Sequence, residues 1–108
     1  MTLTGKQKRA LRALGHALKP VVQIGREGLL EPQADAVRRA LADHELIKVR
    51  LGRGAPLSLD EMIEGVEALT GAVCVQRIGK LGLFYLPDPE SPRIVLPPGG
   101  GAEDGADG

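Results

Sequence analysis

Gly25-Arg26-Glu27-Gly28 sets two glycines three residues apart around one cation and one carboxylate. Glycine lets a backbone come close to a ligand, and amides left unpaired in a bend can point at an anion. The chemistry this spacing suggests is phosphate coordination, with the helix that follows favouring the anion and Arg26 adding a charge-assisted contact. The same residues also read as a plain strand-to-helix turn that needs a positive φ, and Glu27 would repel a phosphate beside it. A P-loop would require a Lys-Ser/Thr end and a dinucleotide fingerprint a third glycine. The loop has neither, which argues against an ATP or NAD site. Gly79-Lys80-Leu81-Gly82 repeats the glycine spacing but joins two apolar runs, so it reads as a hairpin with an exposed lysine.

Charge supports an anionic partner once it is read by position. Fourteen Lys and Arg balance fourteen Asp and Glu over the 108 residues. Yet Lys6, Lys8, Arg9, Arg12, Lys19 and Arg26 all precede the first carboxylate, Glu27. Glu103, Asp104 and Asp107 lie in a Gly-rich stretch unlike a folded segment, and without those three acids the remainder carries an excess of three cations. A nucleic acid is one reading of this basic front end; an ordinary solvated helix face is the other.

No catalytic set accompanies it. His16 and His44 fall on separate helices without Cys, Asp or Glu at ligand spacing near His16, so neither a metal nor a cofactor is expected. Cys74 sits in an apolar run and reads as a small core residue of a reducing compartment. Ser58 is better used as a helix cap than as a nucleophile. Phe84 and Tyr85 are the only rings, so stacking on bases can hardly dominate binding. No segment approaches the ~20 apolar residues of a membrane span, and the expected location is the cytoplasm.

The elements that must carry these residues follow from periodicity. Thr4 caps a first helix with Leu11, Leu14 and Leu18 on one stripe and Lys6, Lys8, Arg9 and Arg12 away from it, ended by Pro20. Val21 to Ile24 reads as a short buried strand, Gly25 to Gly28 as a turn, and Leu29 to about His44 as a second helix. Ile47 to Leu51 alternates as a strand with Lys48 and Arg50 facing water. Ser58 and Glu61 offer a capping box for a third helix, stopped at Thr70-Gly71. Ala72 to Ile78 and Leu81 to Leu86 form a hairpin, and Arg93 to Leu96 is a candidate edge segment. The expectation is a compact single-domain α/β sandwich over residues 1–97, in the order α-β-α-β-α-β-β, with a mixed four-stranded sheet and helices on one face. Residues 98–108 are expected to be a disordered acidic tail.

Four ordered blocks then stand out: Leu3 to His16, Leu18 to Leu29, His44 to Arg50, and Val75 to Lys80. Together they resemble the YhbY family of single CRM (chloroplast RNA splicing and ribosome maturation) domains, from about Leu3 to Pro97. The resemblance implies an RNA-binding protein on precursors of the large ribosomal subunit, without catalysis, in a fold similar to the C-terminal domain of translation initiation factor 3. It likens Gly25, Arg26, Glu27 and Gly28 to the backbone-clamping GxxG loop of KH domains. It maps the family's basic surface onto Lys6, Lys8, Arg9, Arg12, Lys19, Lys48 and Arg50. Leu86 stands where family members commonly carry an arginine.

The reading is a cytoplasmic monomer that holds ribosomal RNA of pre-large-subunit particles through phosphate contacts, with no membrane partner. The alternative is a protein-interaction module whose basic helix docks on an acidic ribosomal protein or assembly factor.

Overall fold

Thr4 opens the first helix: its hydroxyl accepts from the Gln7 N–H, and the Gln7 side chain accepts from the Thr4 N–H, each at 3.0 Å. Such a reciprocal cap contributes about 1 kcal/mol. In this computed structural model, which describes residues 1–98, helix α1 runs Gly5–Gly15. It ends earlier than the leucine spacing predicts, because the His16 N–H turns back to the carbonyls of Arg12 and Ala13. Leu11 is fully buried, whereas Leu14 is 50% and Leu18 37% exposed. Gly15 sits so close to the sheet that a Cβ there would lie 2.6 Å from Leu83 Cδ2.

Strand β1 (Pro20–Ile24) buries only Ile24; it is an edge strand, not the buried one expected from its β-branched run. Helix α2 (Glu31–His44) starts after Leu30, whose N–H is taken by the Gln33 side chain at 3.1 Å. Strand β2 (Leu46–Leu51) follows almost without a loop. Helix α3 (Leu59–Thr70) has the expected capping box, with Ser58 and Glu61 bonded reciprocally at 2.8 and 3.1 Å, and ends on Gly71 at φ +80°. Strands β3 (Val73–Ile78) and β4 (Leu81–Tyr85) form the hairpin.

The sheet order is β1-β2-β4-β3, with β1 parallel to β2 and the other pairs antiparallel. The element order and the mixed four-stranded sheet agree with expectation. The layering differs. Helices α2 and α3 cover Ile24, Ile47, Val49, Leu51 and Phe84 on one face, while α1 covers Leu46, Val75, Leu83 and Tyr85 on the other. A strand reading Leu-Gly-Leu-Phe-Tyr is apolar toward both sides, so both need a lid.

Glu45 joins α2 to β2 at φ +64°, a conformation uncommon outside glycine. Its side chain is fully buried and accepts from the N–H groups of Asp88, Arg93 and Ile94 at 2.7 to 3.2 Å. Burial pushes its pKa up, but these donors and the Arg93 charge pull it below the ordinary carboxylate value. Arg93 to Leu96 therefore forms no edge strand; it is an irregular segment tied to Glu45. The acidic stretch expected to be disordered lies, after Pro98, outside the described residues.

Candidate nucleic-acid interface

Because β1 and β2 are parallel, their carboxyl ends meet at one end of the sheet. Because β4 runs against β2, the β3–β4 turn arrives there too. The Gly52 N–H donates to the Ile24 carbonyl and the Leu51 N–H to the Lys80 carbonyl, both at 2.8 Å. Three glycine-containing turns thus stand side by side: Gly25 to Gly28, Gly52 to Gly54, and Gly79-Lys80. Each carries an exposed cation, Arg26, Arg53 and Lys80, and Arg50 is exposed at the end of β2. Among the described residues none of these four cations is in an ion pair.

The first turn is closed by the Gly28 N–H donating to the Gly25 carbonyl at 3.0 Å. Gly28 is demanded by the fold: it is buried at φ +78°, and a Cβ there would lie 3.2 Å from Pro56 Cγ. Gly25 is not, since a Cβ there would meet nothing within 4 Å. The two side chains between them part company. Arg26 lies over Gly54, its Cγ and Nε 3.4 and 3.5 Å from where a Cβ of Gly54 would be. Glu27 turns the other way and accepts from Gln33 Nε2 at 3.1 Å. Among the described residues the Arg26 and Glu27 N–H groups have no acceptor. Leu29 and Leu30 separate the turn from α2, so the helix's first turn does not abut it.

Lys19 and Arg50 line a cleft of about 430 Å3 with Pro20, Val21, Val22 and Gln23. Arg50 also lines a second cleft, of about 510 Å3, with Gly52, Arg53, Gly54 and Lys80. Arg50 is therefore the hinge between Lys19 and the three turns. Lys48 is a correction: the alternation of β2 put it in water, but it is 7% exposed and its Nζ donates to the Leu18 carbonyl at 2.9 Å. The strand's second face is roofed by α1, so Lys48 ties the end of that helix to the sheet. Lys6, Lys8 and Arg9 of α1 are exposed and Arg12 half-buried. At about 100° per residue, Lys8 and Arg12 lie on the flank away from Leu14. Leu14 faces a groove formed with Leu18, Val21, His44, Leu46 and Ile94.

Sequence reasoning missed Arg53 and Lys80 as members of the site, although the glycines beside each were a usable signal. Phe84 and Tyr85 are both buried, so neither ring can stack on a base. Cys74 is half-buried, and burial pushes its thiol pKa up, as suits a core residue. Among the described residues no three His, Cys, Asp or Glu side chains are grouped to hold a metal ion.

Two helical lids on a mixed sheet, with cations that have no ion-pair partner among the described residues gathered on glycine turns at one end, define a small α/β domain with one exposed positive end. The chain belongs to the CRS1/YhbY (CRM) domain family, whose model matches residues 3–85. It is 38% identical over 90 residues to a protein of Pseudomonas aeruginosa named a probable RNA-binding protein, covering 83% of this chain and 86% of the relative. It is also 38% identical over 96 residues to a protein of Haemophilus influenzae named RNA-binding protein, covering 89% and 96%. The solution structure of a Staphylococcus aureus protein described as a candidate RNA binder matches with a TM-score of 0.68 at 36% identity, covering 89% of this chain and all of the other.

Proposed function

We propose that this protein binds a structured segment of ribosomal RNA through its sugar–phosphate backbone, in precursors of the large ribosomal subunit in the cytoplasm. One observation carries the reading: Gly25 is open on the side where a Cβ would stand, in a turn whose free amides adjoin Arg26. Neither backbone strain nor packing requires glycine there, whereas close approach of a phosphate does. The bond from Gln33 holds the Glu27 carboxylate to the α2 side of the turn, which lessens its repulsion of a phosphate at Gly25. Lys19 and Arg50 extend the positive track, while Lys8 and Arg12, on the flank of α1 away from Leu14, contribute attraction at longer range. Lys6 and Arg9, farther round α1, add long-range attraction. With no exposed Phe, Tyr or Trp ring among the described residues, the partner is recognised by backbone shape more than by stacked bases. The chain acts as a binder, without turnover.

The test is cross-linking of bound RNA in cell extract. Large-subunit precursor RNA joined to a peptide containing Arg26 is the expected product. Recovery of other transcripts, or attachment confined to α2, would overturn the reading. Affinity should also fall steeply with salt, by roughly 0.7 to 0.9 log units per log unit of salt for each phosphate neutralised.

A second reading rests on the groove that Leu14, Leu18 and Val21 line while remaining 37 to 51% exposed. It would seat a ribosomal protein or assembly factor beside the basic helix. Gly25→Asp separates the two, since it should abolish RNA binding and spare such docking.

A further inference from the structure

The Gly52-Arg53-Gly54 turn stands beside the first bend and, like it, sets an exposed arginine between two glycines. Gly54 is exposed at φ +85°, and the nearest atoms to a Cβ built there belong to the Arg26 side chain. Gly52 is fixed by its bond to the Ile24 carbonyl, so the turn is held rigidly against β1. Arg50, Arg53 and Lys80 line the 510 Å3 cleft that opens from it, and among the described residues none has a carboxylate partner. The acid nearest to Arg53 along the chain, Asp60, is occupied by Arg77, and the one nearest to Arg50, Glu45, is buried and held by backbone donors. Three like charges kept together without counter-charge are unfavourable to the fold unless something anionic comes to them.

We propose that this cleft is a second phosphate site, taking a neighbouring phosphodiester of the RNA whose first contact is at Gly25, with Arg26 shared between the two. The proposal rests on the RNA-binding reading and deepens it. The interface is then a two-turn clamp across the carboxyl ends of β1 and β2, with the hairpin lysine as its far wall. Arg53 and Lys80 join Arg26 and Arg50 as RNA-contacting side chains.

The experiment is a salt titration of binding to a fluorescent hairpin of large-subunit ribosomal RNA. It compares the unaltered protein, the double variant Arg53→Gln/Lys80→Gln, and the single variant Arg39→Gln. Arg39 is exposed on α2, outside both clefts, and controls for loss of charge alone. Loss of the one phosphate held by this cleft should lower the slope of log affinity against log salt by about 0.7 to 0.9. Affinity at low salt should fall roughly tenfold or more for the double variant, at about tenfold per 1.4 kcal/mol of lost contact. Arg39→Gln should leave the slope unchanged. A double variant with the slope of the unaltered protein, or one no different from Arg39→Gln, overturns the second site and leaves the first standing. Failure of the unaltered protein to bind the hairpin, or any other ribosomal RNA fragment, removes both. Gly54→Ala, which would crowd Arg26, should reproduce the loss in a protein whose thermal unfolding shows it still folded.

Discussion

The two ends of strand β2 treat charge in opposite ways. At its start, Glu45 is fully buried and both carboxylate oxygens are occupied by backbone donors from residues 88 to 94. At its finish, Arg50, Arg53, Lys80 and Arg26 stand exposed with no ion-pair partner among the described residues. A saturated charge holds the molecule together; an unsaturated cluster leaves the interaction to a ligand. Lys48 and Arg50 repeat the contrast on one face of one strand, two residues apart. Partner saturation, not residue type, separates the charge that holds the fold from the charge left open to solvent.

The largest effect should come from emptying the saturated end. Glu45→Ala leaves three half-buried N–H groups without their acceptor and should cost about 3 kcal/mol in urea unfolding. RNA affinity of the fraction still folded should not change; a parallel loss would break the division between the ends. Next come the two glycines of the first turn. Gly28→Ala forces a side chain into φ +78° against Pro56 and should cost about 1 to 2 kcal/mol. Gly25→Ala should leave stability within about 0.5 kcal/mol while weakening RNA binding. The reverse assignment would show that the open side of the turn is not where RNA lies.

Lys48→Met and Arg50→Gln sharpen the comparison within β2. The first should lower stability by about 1 kcal/mol and leave the salt slope of binding intact. The second should leave stability intact and reduce that slope by roughly 0.7 to 0.9. The smallest effect is on acidification. The folded-state pKa of Glu45 lies below its ordinary value of 4.5, so the unfolded chain takes up its proton first as pH falls. The stability this group contributes is fully present above that value and declines as pH falls through the lower folded value. Urea unfolding between pH 6 and pH 3 should show the decline, and Glu45→Gln should flatten it.

How far the molecule could be read from its residues depends on how local the signal was. Thr4 with Gln7, Ser58 with Glu61, and Gly71 each act within a few residues, and their helix ends were legible. Glycines mark all three turns in the chain, but the convergence of the turns depends on the order β1-β2-β4-β3, which pairs segments far apart in the chain. That is why Arg26 was singled out from the chain while Arg53 and Lys80, which the fold sets beside it, were not joined to it. Alternation placed Lys48 on the right face of β2, but could not tell that α1 would roof that face. Glu45 was opaque because its donors lie 43 to 49 residues away. The one available hint was a helix passing into a strand with no glycine between them.

The carboxylate of Glu45 also sets where the molecule can be trimmed. The family match closes at Tyr85, yet the amides that neutralise this group belong to Asp88, Arg93 and Ile94. A chain cut at the edge of the match would keep every strand and helix and strand a buried anion among them. A chain carried on to Ile94, some way past the last strand of the sheet, keeps every one of those donors.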